Sequence, residues 1–197
     1  ARGVGGDGPP ELRTLAPAVG WGGARLALAG AGFAAGMRVL VGGREACPVG
    51  SLSPGAINCT LAATGVAGAP YGFQGVAVLD PATGRAAFAA QLLVTAALHA
   101  VQPAAVSLAG GARLTISGAG LPDNATRAEV RVGALPCAVD SVTHSALTCT
   151  LAARDPAVGA NASAGAASVR VLLDGHTEAQ CVAEGDAACA VRFEADA

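Results

Sequence analysis

Two pairs of cysteines recur at a fixed offset, and this duplication limits the possible folds more than any other feature. Cys47 and Cys59 lie twelve residues apart, as do Cys137 and Cys149, and each member of the second pair follows its counterpart by ninety residues. The flanks repeat with them. Val41-Gly42 before Cys47 answers Val132-Gly133 before Cys137, and Asn58-Cys59-Thr60-Leu61 answers Thr148-Cys149-Thr150-Leu151. A chain of 197 residues patterned in this way is two copies of one module of about 90 residues. The expected division is a linker over residues 1–11, a first module over 12–96 and a second over 97–197.

Modules of this size have small cores. Here the cores must be built from small side chains, because 52% of residues are hydrophobic but only 3% are aromatic. Less apolar area is then buried per residue, and covalent staples compensate. Six thiols allow fifteen pairings. Equivalent positions should pair equivalently, so the repeat selects Cys47–Cys59 and Cys137–Cys149 and leaves Cys181 with Cys189. Zinc would need four convergent ligands, usually with short spacing. No such spacing occurs, and the three histidines are far apart. Loops closed in this way stabilise a domain by about 3 kcal/mol in the chain-entropy model, and they form in oxidising compartments. Three Asn-x-Ser/Thr sequons, at Asn58, Asn124 and Asn161, agree with an extracellular or cell-surface setting. Asn124 and Asn161 fall in expected loops of the second module; Asn58 falls in an expected strand, where a glycan is less easily placed.

Net charge is −2, and all 12 basic residues are Arg, scattered along the chain. A nucleic-acid binder needs a clustered basic face, and none is visible. Nor is there a polybasic membrane patch. The longest apolar run, Ala86 to Val101, is interrupted by Gln91, Thr95 and His99 and is shorter than the roughly 20 residues of a spanning helix. No direct membrane insertion is expected of this segment. The Gly/Pro-rich start has no hydrophobic leader, so the chain reads as an internal or mature piece of something longer.

Short apolar runs alternate with Gly, Pro, Asn and Asp clusters every 8 to 12 residues or so, a rhythm of all-β sandwiches. In the first module strands are expected over Arg13–Val19, with an edge or bend at Pro17, and over Arg25–Ala29, Met37–Val41, Ala46–Val49, Ile57–Leu61, Gly75–Leu79 and within Ala87–Thr95. Gly20-Trp21-Gly22-Gly23 and Asp80-Pro81-Ala82-Thr83-Gly84 are turns. The second module repeats the order, with Asp174-Gly175 as a hairpin turn and Ala190–Glu194 as the closing strand, Phe193 facing in. The insertion with Cys181 and Cys189 reads as a clipped hairpin extension. Ala86–Ala100 has helical propensity, but the repeat makes it a strand plus a short linker around Ala96–Gln102, a restricted elbow that includes His99.

The ordered motifs resemble the IPT/TIG module. They are Pro103, Gly110-Gly111, Gly118, Gly120, Val130-Arg131-Val132-Gly133, Pro136-Cys137 and Cys149 in the second half. The first half has Pro17, Gly22-Gly23, Gly30, Gly32, Val39-Leu40-Val41-Gly42, Cys47 and Cys59. The resemblance implies two tandem immunoglobulin-like β-sandwiches, as in plexins, Met-type receptors, fibrocystin-like surface proteins and Rel-type transcription factors. It also implies an interaction role without catalytic residues. Two features depart from the pattern. Pro48 follows its cysteine where Pro136 precedes its own, and the Cys181–Cys189 insertion is additional.

Three chemistries are suggested by local motifs and do not hold. Gly30-Ala31-Gly32-Phe33-Ala34-Ala35-Gly36 resembles a dinucleotide fingerprint, but that device needs a following helix, and a strand follows almost at once. His144 near Asp140, Ser141 and Ser145 resembles a hydrolase set, but it falls in an expected hairpin loop, and the first module has no His or Asp there. Calcium needs several convergent carboxylates, and Asp123 or Asp140 forms no dense cluster; His176 is expected at a hairpin tip. No cofactor or metal is therefore expected. Trp21, Tyr71 and Phe73 are aromatics in Gly/Pro-rich turns, the places where a partner contact would use them. The expected function is non-enzymatic: adhesion, assembly or spacing through protein partners or neighbouring modules. The other reading is an intracellular DNA-binding or scaffold use of the same fold.

Overall fold

The computed structural model describes residues 9–63, 69–153, 165–182 and 186–194. The chain divides into two compact units, Ala1–Val94 and Thr95–Ala197. Both are built from strands, so the fold is all-β and immunoglobulin-like.

The first unit contains β1 (Glu11–Ala16), β2 (Val19–Gly20), β3 (Arg25–Ala31), β4 (Arg38–Val41), β5 (Arg44–Cys47), β6 (Val49–Ser53), β7 (Ala56–Thr60), β8 (Gly72–Leu79) and β9 (Ala86–Val94). They form a four-stranded sheet, β1-β3-β7-β6, and a five-stranded sheet, β2-β9-β8-β4-β5. Period-two alternation sets which side chains are buried. Leu26 and Leu28 of β3, Ile57 and Cys59 of β7, and Val39 and Val41 of β4 all point inward and are at most 2% exposed.

The second unit contains β10 (Ala97–Gln102), β11 (Ala105–Ser107), β12 (Arg113–Ala119), β13 (Ala128–Val132), β14 (Leu135–Val142), β15 (Ala146–Leu151), β16 (Gly165–Leu173), β17 (Thr177–Glu178), β18 (Gln180–Cys181) and β19 (Ala190–Glu194). Its strand order is β11-β19-β16-β13-β14-β15-β12-β10-β18, with β17 on β16. Leu114, Ile116, Leu147, Leu151, Val171 and Leu173 fill this core, and Phe193 is buried as the sequence predicts.

The repeat extends to the irregularities. The first strand of each unit changes sheets at a proline. Before Pro17, β1 pairs antiparallel with β3; after it, β2 pairs parallel with β9. Before Pro103, β10 pairs with β12; after it, β11 pairs parallel with β19. A residue without an N–H cannot continue the ladder. Both Ala16-Pro17 and Gln102-Pro103 are cis. The Gly-x-Gly motif has a steric cause. A Cβ on Gly30 would lie 1.9 Å from the Glu11 carbonyl oxygen, and one on Gly118 would lie 2.3 Å from that of Ala97. No helix follows either motif, and Phe33 packs into the core.

Four details differ from the sequence reading. Ala96–Gln102 is not an elbow: Ala97–Gln102 is β10, the first strand of the second unit, with His99 exposed on it. Glu11 already belongs to β1, and residues 1–8 of the expected linker lie outside the described residues. Ala46–Val49 is not one strand. Pro48 splits it, so β5 pairs with β4 in one sheet and β6 with β7 in the other. In the second unit Pro136 stands before the cysteine and β14 runs unbroken, pairing with both β13 and β15.

The insertion is not a hairpin extension either. The β16–β17 hairpin closes through Asp174 and Gly175 with φ of 50° and 75°, the conformation that favours an Asp-Gly turn. The chain then leaves its sheet. β18 lies parallel along the edge of β10, where the Gln180 and Val182 amides donate to the Ala96 and Leu98 carbonyls at 2.8 and 3.0 Å. A 3-10 turn, Asp186–Cys189, leads back into β19. In the first unit β9 pairs with β8 along its whole length, broken only by a register shift.

Candidate interaction surfaces

Three disulfides join Cys47–Cys59, Cys137–Cys149 and Cys181–Cys189, and no cysteine is free. Each bond lies within one unit. The first two share one placement. Val49 is the register partner of Cys59, and Val139 of Cys149, so the bonded cysteine sits two residues back on the same strand line. The third closes the base of the insertion: nine residues, Cys181 to Cys189, replace the two that separate Phe88 from Gln91 in the first unit.

The aromatics separate by strand parity. Phe73 on β8 is 70% exposed, whereas Tyr71, just before the strand, is 2% exposed. A partner contact through Tyr71 is therefore ruled out by its burial. Trp21 is half-buried between β2 and β3, and its carbonyl accepts from Ala24 N at 2.8 Å in the turn. The sequence reading missed Phe88 on β9, which is 77% exposed. It stands among the alanines of Ala86–Ala90; strict alternation from the buried Leu92 and Val94 would turn it inward, and the register shift between Val76 and Ala77 turns it out. Phe88 lies opposite Ala77, Ala77 lies opposite Leu40, and Phe73 lies opposite Leu93. Phe73 and Ala77 are four apart on one strand and so share a face. The outer face of the five-stranded sheet thus carries two exposed phenylalanines, and exposed aromatics are where binding energy concentrates.

The outer face of the other sheet is polar. Arg25, Ala27, Gly50, Ser51, Asn58 and Thr60 line a concavity of about 490 Å³. Asn58 Nδ2 donates to Ser51 Oγ at 3.0 Å. The second unit has the same face with different residues. Asp140 takes the bulge position, accepts from Thr150 Oγ1 at 2.9 Å and lies 3.6 Å from Arg113 Nε. Asp140 is therefore not beside His144. The imidazole Nδ1 of His144 bonds instead to the Leu121 carbonyl at 2.9 Å, which fixes a turn and leaves the hydrolase-like set unassembled.

Two arginines each hold a carboxylate through paired hydrogen bonds. Arg127 donates through Nε and Nη2 to the two carboxylate oxygens of Asp174 at 2.8 and 2.7 Å. This hydrogen bonding holds the Asp174 carboxyl below its ordinary range, against the opposing effect of partial burial. Arg170 clamps Glu178 in the same way at 2.7 and 2.8 Å, and lowers its carboxyl. Asp123 faces Arg127 at 3.6 Å. Among the described residues no group of three or more His, Cys, Asp or Glu stands close enough to hold a metal. No helix there is long and apolar enough to cross a membrane.

Asn124 is exposed and caps the 3-10 turn Ala125–Arg127, its Oδ1 accepting from both the amide and the hydroxyl of Thr126 at 3.0 Å. Asn161 lies outside the described residues. His176, at the hairpin tip, bonds through Nδ1 to the Asp174 carbonyl at 2.8 Å.

The strands β10–β18 and the β14–β15 disulfide lie in the stretch that resembles a known family in sequence. Residues 96–185 match the IPT/TIG domain family. The match lies within the second unit and begins one residue before β10. No curated protein matches the chain in sequence. Among solved structures, the plexin A4 extracellular region is 18% identical, with 95% of this chain and 16% of that one covered and a TM-score of 0.42. A surface glycan-binding protein from Prevotella bryantii is 13% identical over 87% of this chain and 41% of its own, with a TM-score of 0.44. A Bacteroides ovatus protein of a mixed-linkage glucan utilization locus, solved with a heptasaccharide, is 14% identical over 90% and 43%, with a TM-score of 0.37. The chain spans less than half the length of each.

Proposed function

We propose that the chain is a non-catalytic pair of IPT/TIG-type sandwiches, the first unit being a second copy of the domain, that serves adhesion, assembly or spacing in a larger extracellular or surface protein. The observation that carries this reading is the set of three local disulfides with no cysteine left over. Such bonds persist where oxidants prevail, and small cores of Ala, Val and Leu benefit from them. Contacts with protein partners run through the exposed Phe73–Phe88 face and through Trp21. Asn124 carries an N-linked glycan and Asn161 is the second acceptor; the third sequon, Asn58, lies within β7, where a glycan is less easily placed, and stays bare. No cofactor takes part.

Expression of the chain behind a secretory leader tests this. The expected product is soluble, carries three disulfides, and loses mass on glycosidase treatment in a step that Asn124→Gln removes. A product retained with reduced thiols contradicts the reading. Tight, salt-sensitive binding of duplex DNA would favour intracellular use of the fold instead.

A further inference from the structure

We propose that the concavity beside Gly50 is a binding site for a carboxylate, and that its ligand is an acidic sugar. The two units differ in one residue at a shared bulge. Gly50 is the bulged residue between Val49 and Ser51, and Asp140 is the bulged residue between Val139 and Ser141. Around them the strands superpose by register. Arg25 lies opposite Thr60, as Arg113 lies opposite Thr150, and Ser51 lies opposite Asn58, as Ser141 lies opposite Thr148.

In the second unit the Asp140 carboxylate accepts from the Thr150 hydroxyl and faces Arg113. In the first unit both donors remain, as Thr60 and Arg25, while the acid is replaced by Gly50. The result is a space with the donors of a carboxylate site and no carboxylate among its lining residues. It is open: a Cβ placed on Gly50 would meet nothing nearer than the Asn58 carbonyl oxygen at 3.7 Å. Bulges re-aim side chains in this way beside sites, and a guanidinium with a hydroxyl makes charge-assisted hydrogen bonds to a carboxylate.

The remaining lining selects the kind of carboxylate. Ser51 and Asn58 offer hydroxyl and amide groups that both donate and accept, matching the hydroxyls of a sugar ring. Leu26, Ala27, Gly50 and Cys59 complete the lining; the Leu26 and Cys59 side chains are buried in the core, so no large apolar side chain stands in the space to receive a peptide side chain. The site is shallow and its cation exposed, so binding is weak and falls with ionic strength.

The test uses the full disulfide-bonded chain without glycans, titrated with glucuronate, glucose and N-acetylglutamate amide, and followed through backbone amide shifts. Glucuronate should give saturable shifts at Gly50, Ser51 and Thr60 that glucose does not. Gly50→Asp should abolish them, because the chain then supplies its own carboxylate as in the second unit. Asp140→Gly should create a second set of shifts at Ser141 and Thr150. The proposal is overturned if the unaltered chain shows no saturable response or if Gly50→Asp responds equally. Glucose acting as strongly as glucuronate overturns it as well. Tighter binding of the glutamate derivative would assign the site to acidic peptides and likewise overturn it.

Discussion

At the residue scale, side-chain direction decides roles that residue type alone leaves open. Tyr71 and Phe73 stand two apart in one Gly/Pro-rich stretch, yet one is core and the other surface. Nothing in that stretch shows where the strand begins, so its parity was not legible. The Arg127–Asp174 pair is another case. The two residues are 47 apart, and only the pairing of β13 with β16 brings them together. Because the folded Asp174 carboxyl titrates below its unfolded value, the pair contributes stability above about pH 4 and loses it as pH falls through the lowered range. Asp174→Asn keeps a residue tolerant of positive φ and should lower stability by about 1 kcal/mol at pH 7. Denaturant unfolding checks this. The gap between the two chains should close in acid, and a constant gap would mean that the charge is irrelevant.

At the element scale, the placement of one proline separates two sheet layouts. Pro48 after Cys47 breaks the strand line into β5 and β6, whereas Pro136 before Cys137 leaves β14 whole. The succession of strands, an edge or bend at Pro17 with its counterpart at Pro103, and the disulfide partners were readable, because each follows from a repeated residue. The path of the insertion was not, since the first unit contains no counterpart and nothing in Gln180-Cys181-Val182 names β10 as its neighbour. The Cys181–Cys189 bond holds β18 on that edge. Replacing both cysteines with serine should free β18 while β13–β16 stay paired. Hydrogen exchange should show the Gln180 and Val182 amides losing protection well before global unfolding. If they stay as protected as the β16 amides, the bond is not what holds the strand.

At the scale of the whole molecule, two sandwiches of small aliphatic cores rely on covalent closure. Low aromatic content limits how much each core can bury, and each unit holds its own bonds, so neither needs the other's cysteines. The duplication carried this much from sequence to structure. The polar concavity was not legible, because it depends on which bulge residue faces which strand, and bulges leave no mark in spacing. The most direct test of the account is peptide mapping of the native protein under non-reducing conditions. It should recover Cys47 linked to Cys59, Cys137 to Cys149 and Cys181 to Cys189. Free thiols in native material, or any sulfur bond between the first unit and the second, would contradict it.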